Sequence, residues 1–218
     1  MTTRTGTASA TPLPAAASPA IPGATRATLR REARARRRAL SPAERRTTAL
    51  AIAAHLAATG WLRPQLRLAG YLATPEEIDV SACLGIALRR GAEIWLPRLD
   101  TAQIGRMHFA PADGPMRRNI YGIAEPTDPR RLSARWLQLV LVPLVAVDDA
   151  GMRLGMGGGF YDRALAWRRL RRHWAGPRLV GIAHSSQRIP RLESLPHDIP
   201  LDALLTERGL IHFRQDSR

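Results

Sequence analysis

An apolar run followed closely by a glycine-rich loop constrains the fold of this chain more than any other feature. From Trp136 to Val147 only Gln138 and Pro143 interrupt apolar residues. A short polar turn then leads into Arg153-Leu154-Gly155-Met156-Gly157-Gly158-Gly159-Phe160-Tyr161-Asp162-Arg163. The run falls short of the roughly 18 apolar residues of a membrane span. It reads as a buried strand whose ladder Pro143 ends. Four glycines in five positions allow backbone N–H groups to approach an anion closely, because no Cβ stands in the way. A helical pattern from about Tyr161 to Trp174 follows. Strand, glycine loop and helix form a unit that can hold a phosphate, stack a flat ring and ligate a metal within one turn.

The remaining elements repeat the strand–helix alternation. A helix is expected from Thr25 to Ala39. Ser41-Pro42-Ala43-Glu44 is a capping box with proline at the first helical position, opening a second helix that stops near Gly60. Arg67 to Ala73 is strand-like, Thr74-Pro75-Glu76-Glu77 is a turn or cap, and Val80 to Arg90 is helical up to Gly91. Ala92 to Leu96 reads as a short strand closed by Pro97, and Arg106 to Ala110 as an edge strand. Arg178 to Ala183 and Asp202 to Thr206 are further strands. This order predicts an α/β fold, a Rossmann-like three-layer sandwich with a parallel-rich central sheet. Pro111 to Arg135 is a long connection and a functional-loop candidate. Residues 1–24, rich in Thr, Ala, Ser and Pro, bury too little surface to order themselves and are expected to be a disordered extension. A single domain then covers 25–210, with a short tail at 211–218.

The 33 basic residues are all arginine, and the formal net charge is +15. Any phosphate contact must therefore use the bidentate guanidinium fork. Nine arginines lie between Arg26 and Arg46 and five between Arg163 and Arg172. Such clusters fit a nucleic-acid surface or solvated helix faces with a few anion ligands. With 5% aromatic residues and no aromatic–basic interleaving, the pattern for base stacking is missing, and the second reading is preferred. The single cysteine, Cys83, rules out an intrachain disulfide framework and fits a reducing, cytoplasmic compartment. It falls in an apolar helical pattern, as a packed core thiol would.

The glycine loop is not a P-loop, because no Gly-Lys-Ser/Thr follows. Nor is it the dinucleotide fingerprint, since Phe160 stands where the third glycine belongs. Asp162 at a helix start suits a cap and a metal ligand equally. No Ser, Cys or His triad is apparent.

The run from Val142 through Val147-Asp148-Asp149 to Arg163 resembles the signature of the 5-formyltetrahydrofolate cyclo-ligase family, also called 5,10-methenyltetrahydrofolate synthetase. Arg26-Ala27-Thr28-Leu29-Arg30, Tyr71 to Asp79, Leu96-Pro97-Arg98, Asn119 to Pro126, Val180 to His184 and His197 to Asp202 resemble further family segments in the same order. The resemblance spans about residues 26–207. It implies an ATP-dependent ligase of folate and one-carbon metabolism. The formyl oxygen of 5-formyltetrahydrofolate attacks the γ-phosphate of ATP, N10 then attacks the formyl carbon, and phosphate leaves. By the same resemblance Arg26, Arg30 and Arg153 act in catalysis. Arg26, Ala27, Thr28, Leu29, Arg30 and the segment Arg153, Leu154, Gly155, Met156, Gly157, Gly158, Gly159, Phe160 and Tyr161 bind ATP. Leu72, Glu77, Met156, Gly157, Gly158, Gly159 and Phe160 meet the folate, with Glu77 accepting from pterin N–H groups. Asp162 and Asp198 hold Mg²⁺. Arg26 stands where the family commonly has lysine. The expected partners are ATP and 5-formyltetrahydrofolate, including its polyglutamylated forms, with no membrane and no nucleic acid, for a monomer. RNA binding through the arginine-rich helices and a non-ligase relative on the same fold are the alternatives.

Overall fold

The computed structural model describes residues 25–213 apart from 101, 102, 104 and 171–175. The expected N-terminal extension and the end of the helix expected to reach Trp174 lie outside the described residues. In chain order the elements are α1 (Arg26–Ala39), α2 (Pro42–Ala58), β1 (Arg67–Ala69), α3 (Ser81–Arg89), β2 (Glu93–Leu99), β3 (Met107–Pro111), β4 (Met116–Arg118) and β5 (Ala124–Pro126). They continue with β6 (Leu139–Pro143), β7 (Ala146–Val147), β8 (Arg153–Leu154), α4 (Phe160–Ala164), β9 (Arg178–Ile182), β10 (Ala203–Thr206) and β11 (Gly209–His212). A seven-stranded sheet has the order β11-β10-β9-β6-β1-β2-β3. Strands β10, β9, β6, β1 and β2 run parallel, and the antiparallel strands β11 and β3 close the two edges.

Strict alternation along β6 builds the core. Leu139 and Leu141 point to the face covered by Ile52 and Leu56 of α2 and Cys83 and Ala87 of α3. Val140 and Val142 point to the opposite face, packed by Phe109, Leu137, Leu165 and Leu201. Each fully buried Leu or Ile contributes about 2 kcal/mol. Because both faces are covered, β6 reads as a continuous apolar run. Cys83 is buried, and burial pushes its thiol up to about 12, as a core thiol requires.

The capping box at Ser41 forms as expected, whereas Thr25, read as the first helical residue, is the N-cap of α1. Thr25 Oγ1 accepts the Thr28 N–H at the start of α1, and Ser41 and Glu44 exchange side-chain-to-backbone bonds at the start of α2. Other expectations need correction. Strand β2 runs through Pro97 to Leu99. Its antiparallel partner there is Phe109, whose N–H and C=O both bond Leu132 instead. Pro97 thus occupies a non-hydrogen-bonded position, and its missing donor faces the side that β1 has left after Ala69. Trp136 belongs to a 3₁₀ turn before β6 rather than to the strand. Helix α4 spans only Phe160–Ala164, followed by a 3₁₀ segment over Ala166–Leu170. Strand β11 runs to His212, and Phe213 is buried against Gly151, so the folded unit passes the expected boundary at 210. The long connection folds in part as the β4–β5 hairpin.

Candidate functional site

Ligands of open parallel sheets bind outside the carboxyl ends of the strands, and a cleft of ≈480 Å³ opens there beyond β1, β2 and β6. Leu72, Thr74 and Glu77 enter from the loop after β1, and Leu96, Pro97 and Leu99 from β2. Met107 of β3 and Pro143 of β6 form the floor, and Asn119, Tyr121 and Ile123 descend from the hairpin. The glycine loop closes the far side with Gly155, Met156, Gly158, Gly159, Phe160, Tyr161 and Asp162. The Tyr121 ring meets Phe160 edge-on, with centroids 6.0 Å apart.

The glycines are needed for different reasons. Gly157 and Gly159 have φ values of +105° and +64°, which cost side-chain-bearing residues free energy. A Cβ on Gly158 would stand 2.8 Å from the Phe160 ring. The five-residue α4 carries little macrodipole. Positive charge at this loop therefore comes mainly from arginines.

Those arginines lie in two internal pairs and one loop contact. Arg26 forks onto Asp198, with Nη1 donating to Oδ2 at 2.7 Å and Nη2 to Oδ1 at 3.1 Å, and Nη1 also reaches the Glu193 carbonyl. Arg153, buried on β8, donates to Asp162 Oδ1 at 2.7 Å and to the Ile199 carbonyl. Burial lowers the Arg153 pKa and the Asp162 charge opposes it. Burial alone would raise Asp198, but the Arg26 fork and the Leu195 N–H outweigh it and leave that carboxyl below its ordinary range. The Ile199 N–H reaches Asp162 Oδ1 at 3.4 Å, so the two pairs abut. Arg30 donates to the Gly155 carbonyl at 2.9 Å and ties α1 to the glycine loop.

A second, smaller groove of ≈280 Å³ lies on α1, lined by Ala27, Arg30, Arg31, Arg34, Arg38 and Met156. Met156 lines both clefts, so the glycine loop is the wall between an apolar cavity and a cationic groove.

Neighbouring glutamates divide the labour of the loop after β1. Glu76 turns to α1, where Arg34, Arg37 and Arg38 converge on it at 3.2, 3.0 and 3.5 Å. Hydrogen bonds from Arg34 and Arg37 lower its pKa to about 2. Glu77 lines the cavity, and its Oε2 accepts the Thr74 N–H at 2.9 Å.

Of the residues expected from sequence, Arg153, Leu72, Glu77, Gly155, Met156, Gly158, Gly159, Phe160, Tyr161 and Asp162 meet around the larger cleft. Ala27 and Arg30 meet across Met156 in the smaller one. Others are placed differently. Leu154 is fully buried, and Leu29 packs against the same small core cluster, so their side chains support the fold rather than face a ligand. Thr28 bonds to the cap residue Thr25, and Gly157 lines neither cleft. Sequence reasoning missed the individual wall residues Tyr121, Ile123, Leu99 and Met107. The available signal was the turn at Asn119, whose Oδ1 accepts the Tyr121 and Ile123 N–H groups, with Gly122 at φ +73°. Buried Glu125 then bonds Arg117, Asn119 and the Leu99 N–H, fixing the hairpin over the cavity.

Comparisons with known proteins identify the family and the fold. The family model described as "5-formyltetrahydrofolate cyclo-ligase family" matches residues 22–207. The 5-formyltetrahydrofolate cyclo-ligase of Escherichia coli K12 is 32% identical over 178 residues, covering 79% of this chain and 95% of that protein. The enzyme of the same name from Mycolicibacterium smegmatis is 30% identical, over 71% and 83% of the two chains. Among solved structures, the 5,10-methenyltetrahydrofolate synthetase of Aquifex aeolicus superposes with a TM-score of 0.73 at 27% identity, covering 87% of this chain and 93% of that one. That of Mycoplasma pneumoniae, at 22% identity and a TM-score of 0.66, shares the fold. Matched over its sheet, its arginine-bearing first helix and the loop that walls both clefts, the chain belongs to the 5-formyltetrahydrofolate cyclo-ligase family.

Proposed function

We propose that this protein converts 5-formyltetrahydrofolate to 5,10-methenyltetrahydrofolate with cleavage of ATP and release of ADP and phosphate. One observation carries the reading: a single glycine loop separates an apolar cavity holding a carboxylate, Glu77, from an arginine-lined groove. The cavity suits a pterin, whose adjacent N–H donors a carboxylate can accept in bidentate fashion. The groove suits a triphosphate. The two substrates then meet at Met156–Tyr161, where the phosphoryl group must pass.

The reaction asks for positioning and charge neutralisation rather than a covalent nucleophile. The formyl oxygen attacks the γ-phosphorus while the bond to the β-phosphate oxygen breaks, and ADP leaves. The formyl carbon now carries a phosphate leaving group. N10 attacks that carbon and sheds its proton, and phosphate departs with the former formyl oxygen. Arg26, Arg30 and Arg153 neutralise charge on the transferring group, and the bare backbone of the glycine loop lets it approach.

Mg²⁺ fits the donor set in one way. This ion commonly takes one or two carboxylates and completes its octahedron with phosphates and water. Asp162 and Asp198 are two such carboxylates in abutting pairs. No cluster of three or more His, Cys, Asp or Glu side chains that could hold a metal exists among the described residues, so a cage made by the protein alone does not fit. When bound, the ion supplies neutralisation of phosphate charge. Asp162→Asn should then weaken the response of turnover to Mg²⁺ far more than it lowers thermal stability; equal losses would reduce Asp162 to a partner for Arg153.

The arginine-rich helices favour this reading over RNA binding. Their sequence matches the 5-formyltetrahydrofolate cyclo-ligase family model, which covers residues 22–207 and so includes the first helix. No helix of the described residues is long and apolar enough to cross a membrane. A cytoplasmic monomer that accepts polyglutamylated folates completes the proposal, with light scattering of the purified protein as the check on its size. The central test is to incubate the protein with 5-formyltetrahydrofolate and Mg-ATP and follow methenyl absorbance. The expected result is product formation that requires ATP; its absence overturns the proposal.

A further inference from the structure

The peptide unit joining Gly158 to Gly159 has a glycine on each side, so no Cβ opposes rotation of its plane. One side chain holds it. Arg163 Nη2 donates to the Gly158 carbonyl at 2.5 Å, and Arg163 Nε donates to the Gly105 carbonyl at 2.7 Å. The Arg163 Cζ also lies 5.3 Å from the centroid of the Phe160 ring. The guanidinium is thus located by the glycine loop, by the turn before β3 and by an aromatic ring that lines the larger cleft. The proposed reaction gives Arg163 no part.

The contact with Gly158 decides which group the loop presents. A planar trans peptide carries its C=O and its N–H on opposite sides, and Gly158–Gly159 is not a cis bond. With the Gly158 oxygen turned to Arg163, the Gly159 N–H faces away from the guanidinium. No acceptor among the described residues takes that N–H, and both glycines line the larger cleft at the wall where the two substrates meet. A flip of the peptide plane would exchange the two groups. An N–H aimed at developing negative charge stabilises it, whereas a carbonyl oxygen in the same place repels it. Glycine gives the loop its close approach to an anion, but also the freedom to turn the wrong way. The arginine removes that freedom.

We propose that Arg163 is a positioning residue for the phosphoryl transfer: it locks the Gly158–Gly159 peptide so that the loop offers the transferring group an N–H instead of a carbonyl oxygen. This rests on the glycine loop being the phosphate-binding wall.

R163M tests it, because an unbranched chain stays beside Phe160 while every donor is removed. Steady-state kinetics and a thermal melt are combined with the amide resonance of Gly159, followed by NMR as Mg-ATP is added without folate. The kcat/KM for ATP should fall about tenfold as the competent loop conformer becomes less populated, with the folate KM changed within about twofold. Arg163 is exposed, so the melting midpoint should stay within about 2 °C of the parent. The Gly159 amide should shift with Mg-ATP in the parent and respond much less in the variant. An unchanged kcat/KM, an equal amide shift in both proteins, or an equal rise in the folate KM would overturn the assignment. A kinetic loss matched by a large drop in melting temperature would also overturn it and make Arg163 a structural brace. If the Gly159 amide of the parent itself ignores Mg-ATP, the loop is not the phosphate wall, and the proposal falls together with that reading.

Discussion

The two clefts on either side of Met156 are opposites in how their polar groups are used. In the arginine groove and its surroundings several charges are already paired: Arg26 with Asp198, Arg153 with Asp162, and Arg34, Arg37 and Arg38 with Glu76. On the apolar side the Tyr161 hydroxyl has no hydrogen-bond partner among the described residues, and Glu77 accepts the Thr74 N–H on Oε2. The difference teaches what each ligand must do. A phosphate entering the cationic side has to compete with carboxylates for guanidinium donors. A pterin entering the cavity competes mainly with water. Internal pairing also keeps several buried or half-buried charges tolerable before substrate arrives, since an unpaired buried ion is costly.

The largest expected effect tests the paired side. Arg153→Met should lower kcat by roughly 10³-fold or more if its charge stabilises the transferring phosphoryl group. It should also cost about 3 kcal/mol of stability, because Asp162 loses its partner. Steady-state kinetics beside a urea titration would show both; a stability loss with normal kcat would make Arg153 purely structural. Next, Glu77→Gln should raise the folate KM about 10- to 100-fold through the loss of charge-assisted bonds, with the ATP KM changed far less. The reverse order would exchange the occupants of the two clefts.

A smaller effect is expected at the shared wall. In Gly159→Ala the new Cβ meets Arg163 Nη1 at 2.7 Å, on a backbone with φ of +64°. The positive φ alone costs about 1–2 kcal/mol. Thermal melts should register that loss, and both KM values should rise together because the loop faces both ligands. A rise in one alone would break the picture of a common wall.

The smallest effect belongs to Glu76. Its folded pKa of about 2 lies below the ordinary 4.5, so it contributes stability above about pH 4.5 that is lost as pH falls toward 2. Because Arg34 and Arg38 are partly exposed, the gain is on the order of 1–2 kcal/mol. Glu76→Gln should remove it at pH 7, converge with the parent near pH 2 and leave the folate KM unchanged. A change in that KM would show that Glu76 and Glu77 do not divide their tasks.

Much of the fold was legible because local signals and burial agree. The apolar run of β6, the capping box at Ser41 and the alternation of helices with strands each have a local physical cause, and the parallel sheet follows from them. The misjudged elements are those that depend on distant partners. Pro97 looked like a strand end because its missing N–H matters only if a neighbour needs it, and β1 stops short of that position. The two-residue strands β7 and β8 exist only because Ala146 and Val147 pair with Leu154 and Arg153. The candidate site residues Arg26, Arg153, Asp162 and Asp198 could be singled out in sequence, but not their pairing. Arg26 and Asp198 are 172 positions apart.

The sequence by itself determined the kinds of chemistry available: a loop free of Cβ groups, arginine as the only strong cation, and a carboxylate pair at Glu76-Glu77. Tertiary structure alone decided which of those groups face a ligand. Only when α1 docks through Glu76 and Gly155 does one glutamate become a brace and the other a site residue. Only then does the glycine loop come to divide an apolar cavity from a cationic groove. The physical reason is that charge pairing and burial are set by distances across the fold, whereas turn geometry and strand character are set by near neighbours.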